Sequence, residues 1–83
     1  ALDVRGGIHV FPNPAVNTCT IRSREPIKYI TVYNTEGRVV KTIDCVNRYQ
    51  YEMNMSGWAK GMYFIVIQGD NGILAKKKIL KAE

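Results

Sequence analysis

The fold is decided by residues 62–68, MYFIVIQ, which contain the longest apolar run in the chain. Six consecutive apolar residues suit one strand and fall far short of the roughly 18 that a membrane-spanning helix requires. Apolar side chains on both faces are typical of a strand in the middle of a sheet. Because the turn signal Asn71-Gly72 follows, residues 73–81 are predicted to return as a final strand.

Alternating side chains predict further strands upstream of this run. The predicted strands cover residues 8–11, 18–23, 27–34, 38–45 and 49–55. The residues that should separate them are Pro12, Pro14, Pro26 and Gly37. No segment longer than one turn has helical periodicity. With the last two strands the count is seven, so we expect an all-β fold, a seven-stranded antiparallel immunoglobulin-like β-sandwich.

The same alternation divides each strand into two faces. Cys19 and Ile21 share one face, Ile30 and Val32 face inward, and Tyr51, Met53 and Met55 share a face. Trp58 is expected to plug the end of the core, although an exposed binding tryptophan is the alternative. Tyr63 begins a strand after Gly61, which predicts a tyrosine corner, in which the hydroxyl bonds to upstream backbone.

The charge balance is basic, with 12 Lys and Arg against 7 Asp and Glu and a net charge of +5. Such a surface attracts nucleic acid, anionic lipid or anionic polysaccharide, or it only keeps the domain soluble. Lys76, Lys77, Lys78 and Lys81 form the one cluster of charge, and no aromatic residue is interleaved with them. This disfavours nucleic acid and leaves two alternatives: lysines that protect an edge strand, or a terminal strand that a partner reads by strand addition and charge.

Nothing in the sequence resembles a catalytic or metal site. His9 lies between Ile8 and Val10, so it is expected to face solvent, without the buried carboxylate that a general base needs. The acidic residues are scattered over turns and outward positions. Cys19 and Cys45 match neither a zinc site nor a CxxC motif, and the sequence leaves both buried thiols and a disulfide open.

Four segments taken in order resemble one known family. They are VFPNPA at 10–15, ITVYNTEGRVV at 30–40, MSGWAKGMYFIVI at 55–67 and KKKILK at 76–81. Their order and spacing resemble the C-terminal sorting domain of type IX (Por) secretion in Bacteroidetes, over residues 8–81. Matched by position, the family motif residues are Pro12, Asn13, Pro14 and Gly37. The residues of the recognition signal are Gly61, Tyr63, Lys76, Lys77, Lys78, Ile79, Leu80 and Lys81.

The resemblance implies a non-catalytic domain without cofactors at the end of a larger cargo protein, often a protease or an adhesin. The cargo would pass through the periplasm, and the outer-membrane translocon would recognise the domain. A sortase-like protease would remove the domain and join the cargo to lipopolysaccharide at the cell surface. We expect residues 1–7 to be a linker near the cleavage point and residues 8–83 to be the sorting domain, which would end the cargo chain. An exposed final strand also invites swapping into a homodimer.

Two other classes of function stay open. An immunoglobulin-like adhesion or carbohydrate-binding module would need exposed aromatic residues, for which Tyr29, Tyr33 and Tyr49 are the candidates. A structural spacer would have no partner site, and it would tolerate deletion of residues 76–83. The resemblance favours the sorting signal over both.

Overall fold

Five antiparallel strands build residues 7–82, the part of the chain that the computed structural model describes. They are β1 (His9–Phe11), β2 (Thr18–Tyr33), β3 (Val39–Asn54), β4 (Gly61–Gly69) and β5 (Gly72–Lys81). The sheet has the order β1-β2-β4-β5, and β3 also pairs with β2. The expected linker at residues 1–7 lies outside this part of the chain, except for Gly7.

The all-β class is confirmed, and residues 7–82 form a curled open sheet of five strands instead of a clear seven-stranded sandwich. The predicted strands 18–23 and 27–34 are continuous in β2, and 38–45 and 49–55 are continuous in β3. Pro26 does not end β2, because the ladder is already interrupted there. Pairing jumps from Arg22 opposite Gln50 to Ile27 opposite Arg48, so Pro26 has no ladder hydrogen bond to lose.

A second irregularity lies on β3, beside residues 46–48, the gap between the predicted strands 38–45 and 49–55. Residues 45–47 fall between Asp44, which pairs with Tyr29, and Arg48, which pairs with Ile27. Val46 and Asn47 have φ angles of 47° and 60°, in the left-handed region. Extra residues first on one strand and then on the other bend the β2–β3 hairpin, as bulges do. The beginning of β2 therefore pairs with β1, while its end pairs with β4.

The apolar core lies inside this curl and confirms the predicted faces. Its fully buried members are Ala15, Cys19, Ile21, Ile27, Ile30, Val32, Met53, Met55, Ile65, Ile67 and Ile79. Tyr51 and Trp58 are half-buried and pack against this cluster, so Trp58 does close one end of the core. Cys19 and Cys45 are both buried free thiols.

The predicted tyrosine corner is also present. The Tyr63 hydroxyl donates a hydrogen bond of 2.6 Å to the carbonyl oxygen of Ala59, and its ring centroid lies 5.1 Å from that of Trp58. Gly61 begins β4 with a φ of 142°, a conformation that side chains disfavour. These contacts anchor the loop before β4 and place that strand against β5. Within residues 7–82 there is no helix of the length and hydrophobicity needed to cross a membrane.

Candidate functional site

The lysine-rich strand β5 lies at an edge of the sheet and pairs along its length with β4. The register runs from Gly69 opposite Gly72 at the hairpin to Gly61 opposite Lys81 at the other end. Gly72 has a φ of 117°, which a tight return needs and which glycine adopts without strain. The predicted final strand is therefore present, and the hairpin fixes which of its side chains face solvent.

Side chains along β5 alternate between the core and the outer face of the sheet. Lys76, Lys78 and Leu80 are exposed on the outer face. On the inner face Lys77 is half-buried, Ile79 is fully buried and Lys81 is only 2% exposed. The six predicted signal residues on β5 are thus divided between the two faces: three are exposed on the outer face, and the other three lie on the inner face and support the strand.

A short segment from the start of the chain covers the outer edge of the end of β5. We call residues 13–15 the clasp. The Asn13 Oδ1 accepts a hydrogen bond of 3.0 Å from the Leu80 amide, and Asn13 Nδ2 lies 3.5 Å from the Lys78 carbonyl oxygen. Ala15 donates from its amide to the Leu80 carbonyl oxygen at 2.8 Å and accepts from the Ala82 amide at 2.7 Å.

The clasp explains the Pro-Asn-Pro motif in physical terms. Pro12 and Pro14 have no amide hydrogen to donate, so this stretch cannot form an ordinary ladder. The Asn13 side chain supplies the acceptor instead, and Ala15, which forms a bridge with Lys81 at the edge of β5, is fully buried. Sequence reasoning singled out the motif but missed its contact with β5, because the partners are 67 residues apart.

The remaining predicted site residues lie in the framework. Gly37 has a φ of 81° in the turn between β2 and β3, and its amide donates to the Asn34 carbonyl oxygen at 3.0 Å. Gly61 and Tyr63 are at the start of β4, where they set the geometry of the strand that pairs with β5. All three position the fold, while the outer residues of β5 are available for contact.

The described part of the chain has few side chains that are placed for acid–base catalysis or metal binding. His9 is exposed, and no three His, Cys, Asp or Glu side chains among residues 7–82 lie together as a metal site. Burial raises the pKa of the Cys19 thiol to about 11 and also raises that of Cys45, so both are protonated near neutral pH. A protonated, buried thiol is a poor nucleophile.

Comparison with known proteins agrees with the resemblance. The family model described as "Secretion system C-terminal sorting domain" matches residues 9–81. Beta-agarase A of Zobellia galactanivorans is 38% identical over 64 residues, which are 75% of this chain and 12% of that protein. The matched residues include the clasp, the tyrosine corner and the edge strand β5. This chain belongs to the family of C-terminal sorting domains of type IX secretion, a family of sorting signals that is generally non-catalytic.

Proposed function

We propose that the outer-membrane translocon of type IX secretion recognises this chain as the sorting signal of a larger cargo protein. The observation that carries the proposal is the match to the family over residues 9–81. It is supported by an edge strand that carries Lys76, Lys78 and Leu80 on its exposed face. The parent protein's own activity is a separate question, because the relative's match covers 12% of its length.

The later steps form the finer part of the proposal. The cargo passes through the periplasm, and a sortase-like protease removes the domain and attaches the cargo to lipopolysaccharide at the cell surface. The linker at residues 1–7 precedes β1 in the sequence, so a cut there would separate the cargo and leave the five strands together. Segments before a folded domain are common sites of proteolysis.

A reporter fusion tests the proposed function. A periplasmic reporter ending in this chain is expressed in a type IX–competent bacterium and in the same strain without its translocon. We expect the reporter at the surface or in the medium only in the competent strain, with a mass reduced by the sorting domain. Retention in the periplasm of both strains would refute sorting, while export at full mass would refute removal alone.

The second candidate is an adhesion or carbohydrate-binding module. Tyr29 and Tyr49 are exposed, which favours it, while Tyr33 is half-buried. Tyr29 and Tyr33 share the outer face of β2, whereas Tyr49 lies on β3 between Arg48 and Gln50, where the pairing with β2 is irregular. Flat aromatic platforms for sugars need neighbouring rings, so this placement is less suitable than a single row would be. Binding of this chain to insoluble polysaccharides, lost in Tyr29→Ala, would favour this candidate.

A further inference from the structure

The outer face of β4 and β5 carries a continuous apolar area next to two lysines. Cross-strand pairing places Met62 opposite Leu80, Phe64 opposite Lys78 and Val66 opposite Lys76. Phe64 is 37% exposed and Leu80 is 39% exposed. We call Met62, Phe64, Lys76, Lys78 and Leu80 the outer platform. Side chains directly opposite on neighbouring antiparallel strands are in contact range, so these residues form one surface.

Among residues 7–82, no negatively charged group neutralises the two lysines of the outer platform. The ammonium groups of Lys76 and Lys78 form no ion pair or hydrogen bond with residues 7–82. The outer-face residues of β4 that pair with them are Phe64 and Val66, which are uncharged. An acidic group on a partner would therefore meet two cations beside an apolar centre.

The clasp limits how a partner can read this strand. Strand addition needs outward-pointing backbone groups, and those of Leu80 are already bonded to Asn13 and Ala15. The bonds of the clasp reach only Leu80, Ala82 and the Lys78 carbonyl oxygen, so the edge of β5 from Gly72 to Lys76 lies beyond the clasp. A partner that contacts the end of β5 therefore meets side chains, and those that β5 itself exposes there are Lys78 and Leu80 of the outer platform.

We propose that the outer platform is the surface through which the sorting domain is recognised, and that its partner is a protein surface with acidic side chains around an apolar patch. This rests on the proposed function. Aliphatic Met62 and Leu80 beside Phe64 suit apolar burial against protein better than base stacking, and two lysines are few for a polynucleotide. A few residues near the centre of such contacts carry most of the binding energy, and aromatic anchors are typical of them.

Surface display of the reporter fusion tests the platform with matched variants. The platform variants are Phe64→Thr and the double variant Lys76→Glu with Lys78→Glu. The controls are Tyr49→Thr, which changes a ring that is 55% exposed on β3, and Lys41→Glu with Arg48→Glu, which makes the same charge change on exposed β3 residues. Thermal melting of each purified chain by circular dichroism establishes that it is folded.

We expect at least a tenfold lower displayed fraction for both platform variants, with the controls close to the unchanged chain. If the reporter with the unchanged chain is not displayed, the proposed sorting function is refuted, and so is the proposal for the outer platform that rests on it. If the unchanged chain is displayed and folded platform variants are displayed equally well, the platform proposal is overturned while the sorting function stands.

A photo-crosslinking amino acid at position 64 identifies the class of partner, with the same group at position 49 as control. The expected result is a protein adduct from position 64 that is absent in the strain without its translocon and absent with Lys76→Glu and Lys78→Glu. An adduct with lipopolysaccharide or nucleic acid in its place, or equal protein adducts from both positions, would overturn the proposed partner.

Discussion

Tyr63 shows how one side chain holds a loop in this domain. Its hydroxyl donates to the Ala59 carbonyl oxygen at 2.6 Å, and its ring is buried beside Trp58. Removal of the hydroxyl leaves a partly buried carbonyl without its donor, so Tyr63→Phe is expected to lower the free energy of unfolding by about 1–2 kcal/mol. Urea unfolding measures this. Tyr49→Phe, at an exposed ring, is the control, and equal stability of the two variants would contradict the role of the corner.

Burial of Cys19 in the core makes the free energy of unfolding depend on pH. Burial raises its pKa to about 11 from 9.0, so between these values the unfolded chain loses a proton that the folded chain keeps. The unfolded state then binds fewer protons, and the free energy of unfolding falls as the pH rises from about 9 to 11. The expected loss through this thiol is about 1–3 kcal/mol. Urea unfolding of the unchanged chain and of Cys19→Val over this pH range measures it, and identical pH profiles would contradict the assignment.

At the scale of elements, the clasp is the contact that joins the two ends of the domain. The Leu80 amide donates a hydrogen bond to the Asn13 side chain, and the Leu80 carbonyl oxygen accepts one from the Ala15 amide. Loss of the first bond should let the end of β5 open more often. It should also lengthen the exposed edge, which favours strand swapping between two copies.

Asn13→Ala tests the clasp by amide hydrogen exchange. We expect the Leu80 amide to exchange about fivefold faster, because a hydrogen bond of about 1 kcal/mol is lost, while amides in the middle of β4 are unchanged. Asn17→Ala is the matched control, since Asn17 lies in the same loop and its side chain bonds to no residue among 7–82. Unchanged exchange at Leu80 would show that the clasp does not hold the strand.

The sequence predicts the strands themselves better than it predicts where one strand ends and the next begins. Alternation predicts that Ile30 and Val32 face inward and that Met53 and Met55 share a face, and all four are buried, because side-chain direction in a strand depends only on local position. The sequence predicts a break at Pro26 because a proline normally ends a ladder. The local pattern does not show that the hydrogen-bonded pairing of β2 with β3 is already interrupted at that point. Bulges depend on register between distant strands, which no local pattern records.

At the scale of the whole molecule, the contacts between the predicted site residues also depend on pairing between distant segments, which a local sequence pattern does not show. The lysine cluster and the Pro-Asn-Pro motif were both recognised in the sequence, but their contact required the fold. The curled sheet brings residues 13–15 onto the edge of β5 and turns Lys76, Lys78 and Leu80 outward. In the proposed account the domain is a folded signal, in which buried residues set the shape of β5 and a few exposed residues are the ones that a partner would contact.

The surface fraction of a reporter that ends in this chain, compared with the same reporter without it, tests the central claim most directly. Protease accessibility on intact cells of a type IX–competent bacterium gives that fraction. The account predicts that most of the reporter is accessible only when it carries the chain and the strain has its translocon. A reporter that stays protected in the periplasm despite carrying the folded chain would contradict the account.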